Sequence, residues 1–180
     1  MTRIARPDRA DLSADAQMVW DKIAGKRGDV RGPYAVLIHT PDLAEKVADL
    51  GALLRFEGHL PGKERELAIL ATARTLGAAF EWVMHEPIAV KEGVSFETIE
   101  LVRSLGSIDL LNPRERLIVQ VVQSLCATLG VPDEMYQRAI KELGTPYVVE
   151  LITLVGFYKM IALILIGFEV DLPEGASQPF

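Results

Sequence analysis

The chain has 180 residues, 49% of them hydrophobic and 24% charged, with a formal net charge of -6 and an isoelectric point near 5.1. That length suits a single domain with a full apolar core, and an acidic balance without any basic cluster excludes a phosphate-neutralising surface and with it a DNA or RNA partner. The single cysteine, Cys126, excludes an intramolecular disulfide and gives the chain a cytoplasmic reading.

Residues 1–12 alternate charges with isolated apolar residues, carry no hydrophobic run of the kind a secretory signal needs, and read as an N-terminal arm. From there the punctuation is helical. Ser13 and Ser95 are capping residues, while Thr40-Pro41, Asn112-Pro113 and Thr145-Pro146 each set a cap before a proline at the first helical position. The pattern predicts helices over 13–25, 40–57, 62–76, 79–92, 95–105, 112–129, 132–143 and 146–168, with a short helical turn around Pro33 to His39. Gly25, Gly93, Gly106, Gly130 and Gly144 read as stops. Strand signals do not recur, so the fold class is all-α, one domain over 1–180, and residues 171–180, with two prolines and Gly175, form a non-helical tail.

Leu60-x-x-Lys63-Glu64-Arg65 returns 51 residues later as Leu111-x-x-Arg114-Glu115-Arg116, and each phrase is followed by an apolar helix ending in Leu-Gly. Two weakly related helical lobes about a local pseudo-twofold would explain the repeat, although such a helix start also arises by chance. The run from Tyr147 to Phe168 is apolar enough to raise a membrane reading, but Glu150 and Lys159 interrupt it at a cost of roughly 2.5–3.5 kcal/mol for each charge near a bilayer centre. A central helix of a bundle, or one covered by another subunit, accounts for it better, and no membrane partner is expected.

Chemistry concentrates between Leu60 and Gly93. Glu66 opens a helix whose Leu67, Ile69, Leu70 and Ala73 need a core, and Glu81 and His85, four apart, share a face of the next helix. An imidazole takes and gives protons near neutral pH, which makes His85 the natural general acid/base, with Glu66 and Glu81 as the carboxylates that orient it. The plainer alternative is a half-exposed histidine paired with Glu81, and a surface Glu66 paired with Arg65 or Arg116. Arg74, eight residues after Glu66, is the candidate to grip a substrate carboxylate bidentately. Trp82 is a core aromatic and also a candidate substrate contact, and Tyr158 is a candidate hydroxyl donor. His39 and His59 flank one helix in loop-like sequence without a defined role. Glu81 and His85 alone do not make a metal site, and no phosphate loop, dinucleotide fingerprint or serine elbow is present, so no metal and no cofactor is expected.

The phrase Glu66-Leu67-Ala68-Ile69-Leu70, followed by Glu81-Trp82 and His85-Glu86-Pro87, resembles the carboxymuconolactone decarboxylase family, whose fold is shared with the alkylhydroperoxidase AhpD. Val155-Gly156-Phe157-Tyr158-Lys159-Met160 is similar to a second phrase of that family, so the likeness runs from about Gly32 to Val170. The resemblance implies an AhpD-like helical bundle that assembles as a trimer or hexamer. It also puts Glu66 and His85 in the glutamate and histidine places of the peroxidase members, whose two cysteine places then fall on Ala78 and Glu81. Neither residue can supply a thiolate, so the dithiol reaction is not expected. The leading expectation is a cofactor-free lyase acting on a small carboxylated lactone or related acid. Two alternatives stand beside it: a peroxide-handling protein that uses Cys126, and a non-catalytic helical oligomer with a vestigial pocket.

Overall fold

The computed structural model describes residues 2–180, and among these every regular element is helical. The helices are α1 (Ala14–Arg27), α2 (Pro33–Leu37), α3 (Pro41–Ala52), α4 (Gly62–Leu76), α5 (Ala79–Lys91), α6 (Phe96–Arg103), α7 (Pro113–Thr128), α8 (Asp133–Leu143) and α9 (Thr145–Gly167). Three of the foreseen caps act through their side chains. Ser13 Oγ accepts from the Ala16 amide, Ser95 Oγ from that of Thr98, and the Asn112 side chain from those of Arg114 and Glu115. Each thereby satisfies donors that the first helical turn leaves open.

Several ends differ from the sequence reading. Gly25 does not stop α1, which continues to Arg27 and ends where Gly28 enters the left-handed region at φ 82°, since a glycine that keeps helical angles only weakens a helix. After α6 the left-handed residue is Leu105 rather than Gly106, with the Gly106 amide donating to Leu101 O and the Leu105 amide to Val102 O. Leu129 does the same after α7, one residue ahead of Gly130. The predicted 40–57 helix is two elements, since α3 gives way to a π-helical turn over Leu53–Glu57.

The chain forms two compact units. The first holds the chain up to Glu57 together with Leu163–Asp171. Its core comes from α1 and α3, where Ala16, Trp20 and Ile23 are buried, as are Ala44, Val47 and Ala48. Lys22 of α1 pairs with Glu45 and Asp49 of α3 at 2.9 and 2.8 Å. The N-terminal arm is tied down, with Arg3 donating to Gly167 O and Glu169, and Thr2 to Asp171.

The second unit holds Gly58–Ala162 and Leu172–Phe180. Its centre is α4, where all eight residues from Glu66 to Ala73 are buried as α5, α6 and α7 pack around it. A helix covered on every side normally carries apolar residues throughout, so the carboxylate at Glu66 stands out.

The internal repeat has a structural counterpart here. Leu60 and Leu111 are both buried, Lys63 Nζ meets Glu115 at 2.8 Å, and Arg114 Nε meets Glu64 at 2.5 Å. Each basic residue therefore pairs with the acid of the other phrase, the reciprocal pattern that a local twofold relation between α4 and α7 produces. Tyr147 donates a further hydrogen bond to Glu64 at 2.6 Å. Burial alone would raise the Glu64 carboxyl, but the hydrogen bonds from Arg114 and Tyr147 and the Arg114 charge outweigh it and hold Glu64 below its ordinary value.

The helix α9 is long and apolar enough to cross a membrane by length and composition alone, yet half of its most apolar window is buried within the protein. Its Glu150 accepts from the backbone amides of His59 and Leu60 at 2.7 and 3.0 Å, and Lys159 donates to Cys126 O. Partnered charges on a half-buried face belong to a core helix rather than to a span.

Candidate active site

Two residues, Gly77 and Ala78, separate α4 from α5, so the two helices form a tight hairpin and pack along their lengths. The left-handed Gly77 at φ 69° makes the turn, with the Ala78 amide returning to Ala73 O. This hairpin brings Glu66 against His85, whose Nδ1 lies 2.7 Å from Glu66 Oε2. The Glu66 side chain has 0% exposure and that of His85 7%. A fully buried carboxylate is tolerated only where donors meet it, and a second donor is present in Arg65 Nε, 3.2 Å from Glu66 Oε1.

With Glu66 as the carboxylate, the short contact fixes a proton on His85 Nδ1 and turns the opposite nitrogen, Nε2, to the remaining groups. Tyr158 Oη, from α9, lies 3.3 Å from Nε2, and Glu81 Oε2, one turn back along α5, lies 3.4 Å away. The tyrosine ring meets the imidazole edge-on, with centroids 5.1 Å apart at 90°. Both polar distances exceed the usual hydrogen-bond optimum, so Nδ1 is tightly held and Nε2 loosely held. An imidazole gripped on one side and loosely attended on the other is arranged to pass a proton at Nε2.

Four sequence candidates thus meet: Glu66, His85, Glu81 and Tyr158. The other two lie in a different cluster. Arg74 Nε donates to Arg103 O at 2.5 Å, and its guanidinium sits 4.5 Å from the Phe180 ring. Trp82 Nε1 donates to Glu86 at 2.8 Å, and the indole packs edge-on against Phe180 and beneath Arg103. Arg103 also pairs with Glu86 and Glu100, which closes that cluster. The reason is helical geometry: eight residues rise about 12 Å and turn about 80° past two full turns, which carries Arg74 away from Glu66. His39 contacts Ala5 O, and the backbone amide of His59 donates to Glu150. Ala78 and Glu81, at the two cysteine places, are both buried.

Arg65 escaped the sequence reading as a site residue because consecutive helical residues do not face each other. It was legible only as a surface partner of Glu66, whereas its side chain is 14% exposed.

The helical arrangement is shared with solved structures of AhpD-like proteins. A peroxidase-related protein with an alkylhydroperoxidase AhpD core from Ralstonia eutropha superposes with a TM-score of 0.79 at 18% identity, over 96% of this chain and 93% of that one. A peroxidase-related protein from Silicibacter gives 0.77 at 14% identity, over 96% and 92%. The debrominase Bmp8 in complex with 2,3,4-tribromopyrrole also gives 0.77 at 14% identity, over 97% and 93%. At such identities the likeness establishes the fold, which is the AhpD-like all-helical bundle. Residues 41–124, which hold Glu66, Glu81 and His85, match the model of the carboxymuconolactone decarboxylase family. Among curated proteins no sequence matches.

Proposed function

We propose that the protein is a cofactor-free lyase of the carboxymuconolactone decarboxylase type, acting on a small carboxylated lactone or a related acid. The observation that carries this reading is the buried 2.7 Å contact between His85 Nδ1 and Glu66, which leaves Nε2 as the working nitrogen. In the reaction the carbon–carboxylate bond breaks, carbon dioxide leaves, and the electron pair stays on carbon as the lactone-stabilised enolate. Protonated His85 then delivers its Nε2 proton to that carbon, while Glu66 stabilises the imidazolium through Nδ1. Solvent returns the proton to Nε2, so one substrate carboxylate and one proton become carbon dioxide and a C–H bond. The fold of the chain is also that of a protein seen with a small brominated ring bound, which supports a small cyclic substrate.

A peroxidase reading through Cys126 draws less support. Burial holds that thiol above its ordinary value, only partly offset by the charge of Lys159, and this lowers the thiolate fraction that peroxide reduction needs.

Carbon dioxide release from carboxymuconolactone and related lactone acids tests the reading. His85→Ala should lower turnover by about 10²–10⁴-fold, the usual loss for a general acid. Undiminished turnover in that variant would remove the proposal.

A further inference from the structure

Arg74, the cation that sequence spacing favours, lies in another cluster, with its Nε on Arg103 O and its guanidinium over the Phe180 ring. Arg65 is the other arginine on α4 that touches the site. Its Nε is 3.2 Å from Glu66 Oε1, and among the described residues its Nη1 and Nη2 have no hydrogen-bond partner. Neither is a sealed atom, since the Nε of Arg55 is the sole buried, unpartnered side-chain nitrogen or oxygen among the described residues. Side-chain exposure also rises along the chain of contacts, from 0% at Glu66 through 7% at His85 and Glu81 to 14% at Arg65. Arg65 therefore forms the outer end of the set.

A guanidinium has two edges. In Arg65 one edge, through Nε, is used to hold Glu66, and the other, the Nη1–Nη2 fork, stays open with a spacing that fits the two oxygens of a carboxylate. We propose that this open fork binds a substrate carboxylate beside the Glu66–His85 pair, and that the bound carboxylate is one the reaction retains. The inference rests on the acid–base reading for its second half. Loss of carbon dioxide erases the charge of the departing carboxylate, so an arginine clamped on that group would be lost in the transition state and would slow the reaction. A clamp on a second carboxylate keeps its energy throughout and positions the departing one near Nε2.

Succinate, monomethyl succinate and dimethyl succinate serve as inert probes in an NMR titration of the 15N-labelled protein. The two acids should bind and the neutral diester should not. Arg65→Gln should weaken succinate by about tenfold or more, the worth of a hydrogen-bonded charge, with Arg65→Lys intermediate and Arg74→Gln unchanged. The acid-against-ester difference is what a merely structural Arg65 would leave intact, and the lysine variant carries the test if the glutamine variant does not fold. Absence of succinate binding in the wild type, equal binding of the diester, or unweakened binding in both Arg65 variants would overturn the inference. His85→Ala separates the two proposals: it should retain succinate while losing turnover. Retained turnover there would sink the acid–base reading and leave the carboxylate clamp standing.

Discussion

The second unit contains two helices with related starts, α4 and α7, and only α4 carries the carboxylate that meets His85. A shift of 51 residues lays α4 on α7, and it preserves the ion pairs at the helix starts, Lys63 with Glu115 and Arg114 with Glu64. The same shift puts Leu117 at the place of Glu66 and Arg116 at that of Arg65. Leu117 is 1% exposed and packs as a core residue, and Arg116 pairs with the exposed Asp109. The scaffold is thus satisfied with an apolar residue at this helix position. A fully buried carboxylate in its counterpart is a departure that packing does not require, and this supports the role proposed for Glu66.

Exchanging the residues at the two positions has the largest expected effect. Leu117→Glu would bury a carboxylate with no donor prepared for it and should cost about 3–5 kcal/mol in urea unfolding. Glu66→Leu copies the apolar version into α4 and should cost less, about 1–3 kcal/mol, for the His85 and Arg65 donors it strands, while abolishing turnover. If Leu117→Glu were as well tolerated as Glu66→Leu, the two positions would be equivalent environments and the argument from asymmetry would fail.

Tyr158 reaches His85 from α9, outside the α4–α5 hairpin. Tyr158→Phe removes the hydroxyl near Nε2 and retains the ring packed edge-on against the imidazole. A loss of about 2–10-fold in kcat/KM, with stability nearly unchanged, is the outcome expected for one modest hydrogen bond at the working nitrogen. No change in rate would confine the acid–base unit to the hairpin.

Much of this was legible in the chain because local chemistry determines it. Ser13, Ser95 and Asn112 cap where their side chains can reach free amides, and the spacing of Glu81 and His85 makes them helix neighbours in any context. The meeting of Glu66, His85 and Tyr158 was legible through the family phrases, since three helices have to pack before those side chains touch. Arg74 and Trp82 lie apart from that meeting for the converse reason. Nothing local announces that Phe180 and Arg103 gather them into another cluster. The π-helical turn at Leu53–Glu57 has no sequence signal that we can identify, and Arg65 became visible as a site residue only once its burial was known.

The smallest effect lies at the conserved half of the repeat geometry, the Glu64–Arg114–Tyr147 set. Arg114 and Tyr147 hold the folded Glu64 carboxyl below its ordinary value near 4.5, despite the opposing pull of burial. A folded value below the unfolded one means that the contribution of Glu64 to stability is complete above about pH 4.5 and disappears as pH falls through the folded value. Glu64→Gln should therefore lower stability by about 1 kcal/mol or less near neutrality, the range for partly exposed pairs, and the gap to wild type should close in acid. Urea unfolding at several pH values between 7 and 3 reads this directly. A gap that stayed constant over that range would mean that the cross-lobe pairing contributes through shape rather than charge, and the reciprocal ion pairs would then record the relation between the two helices without helping to hold them together.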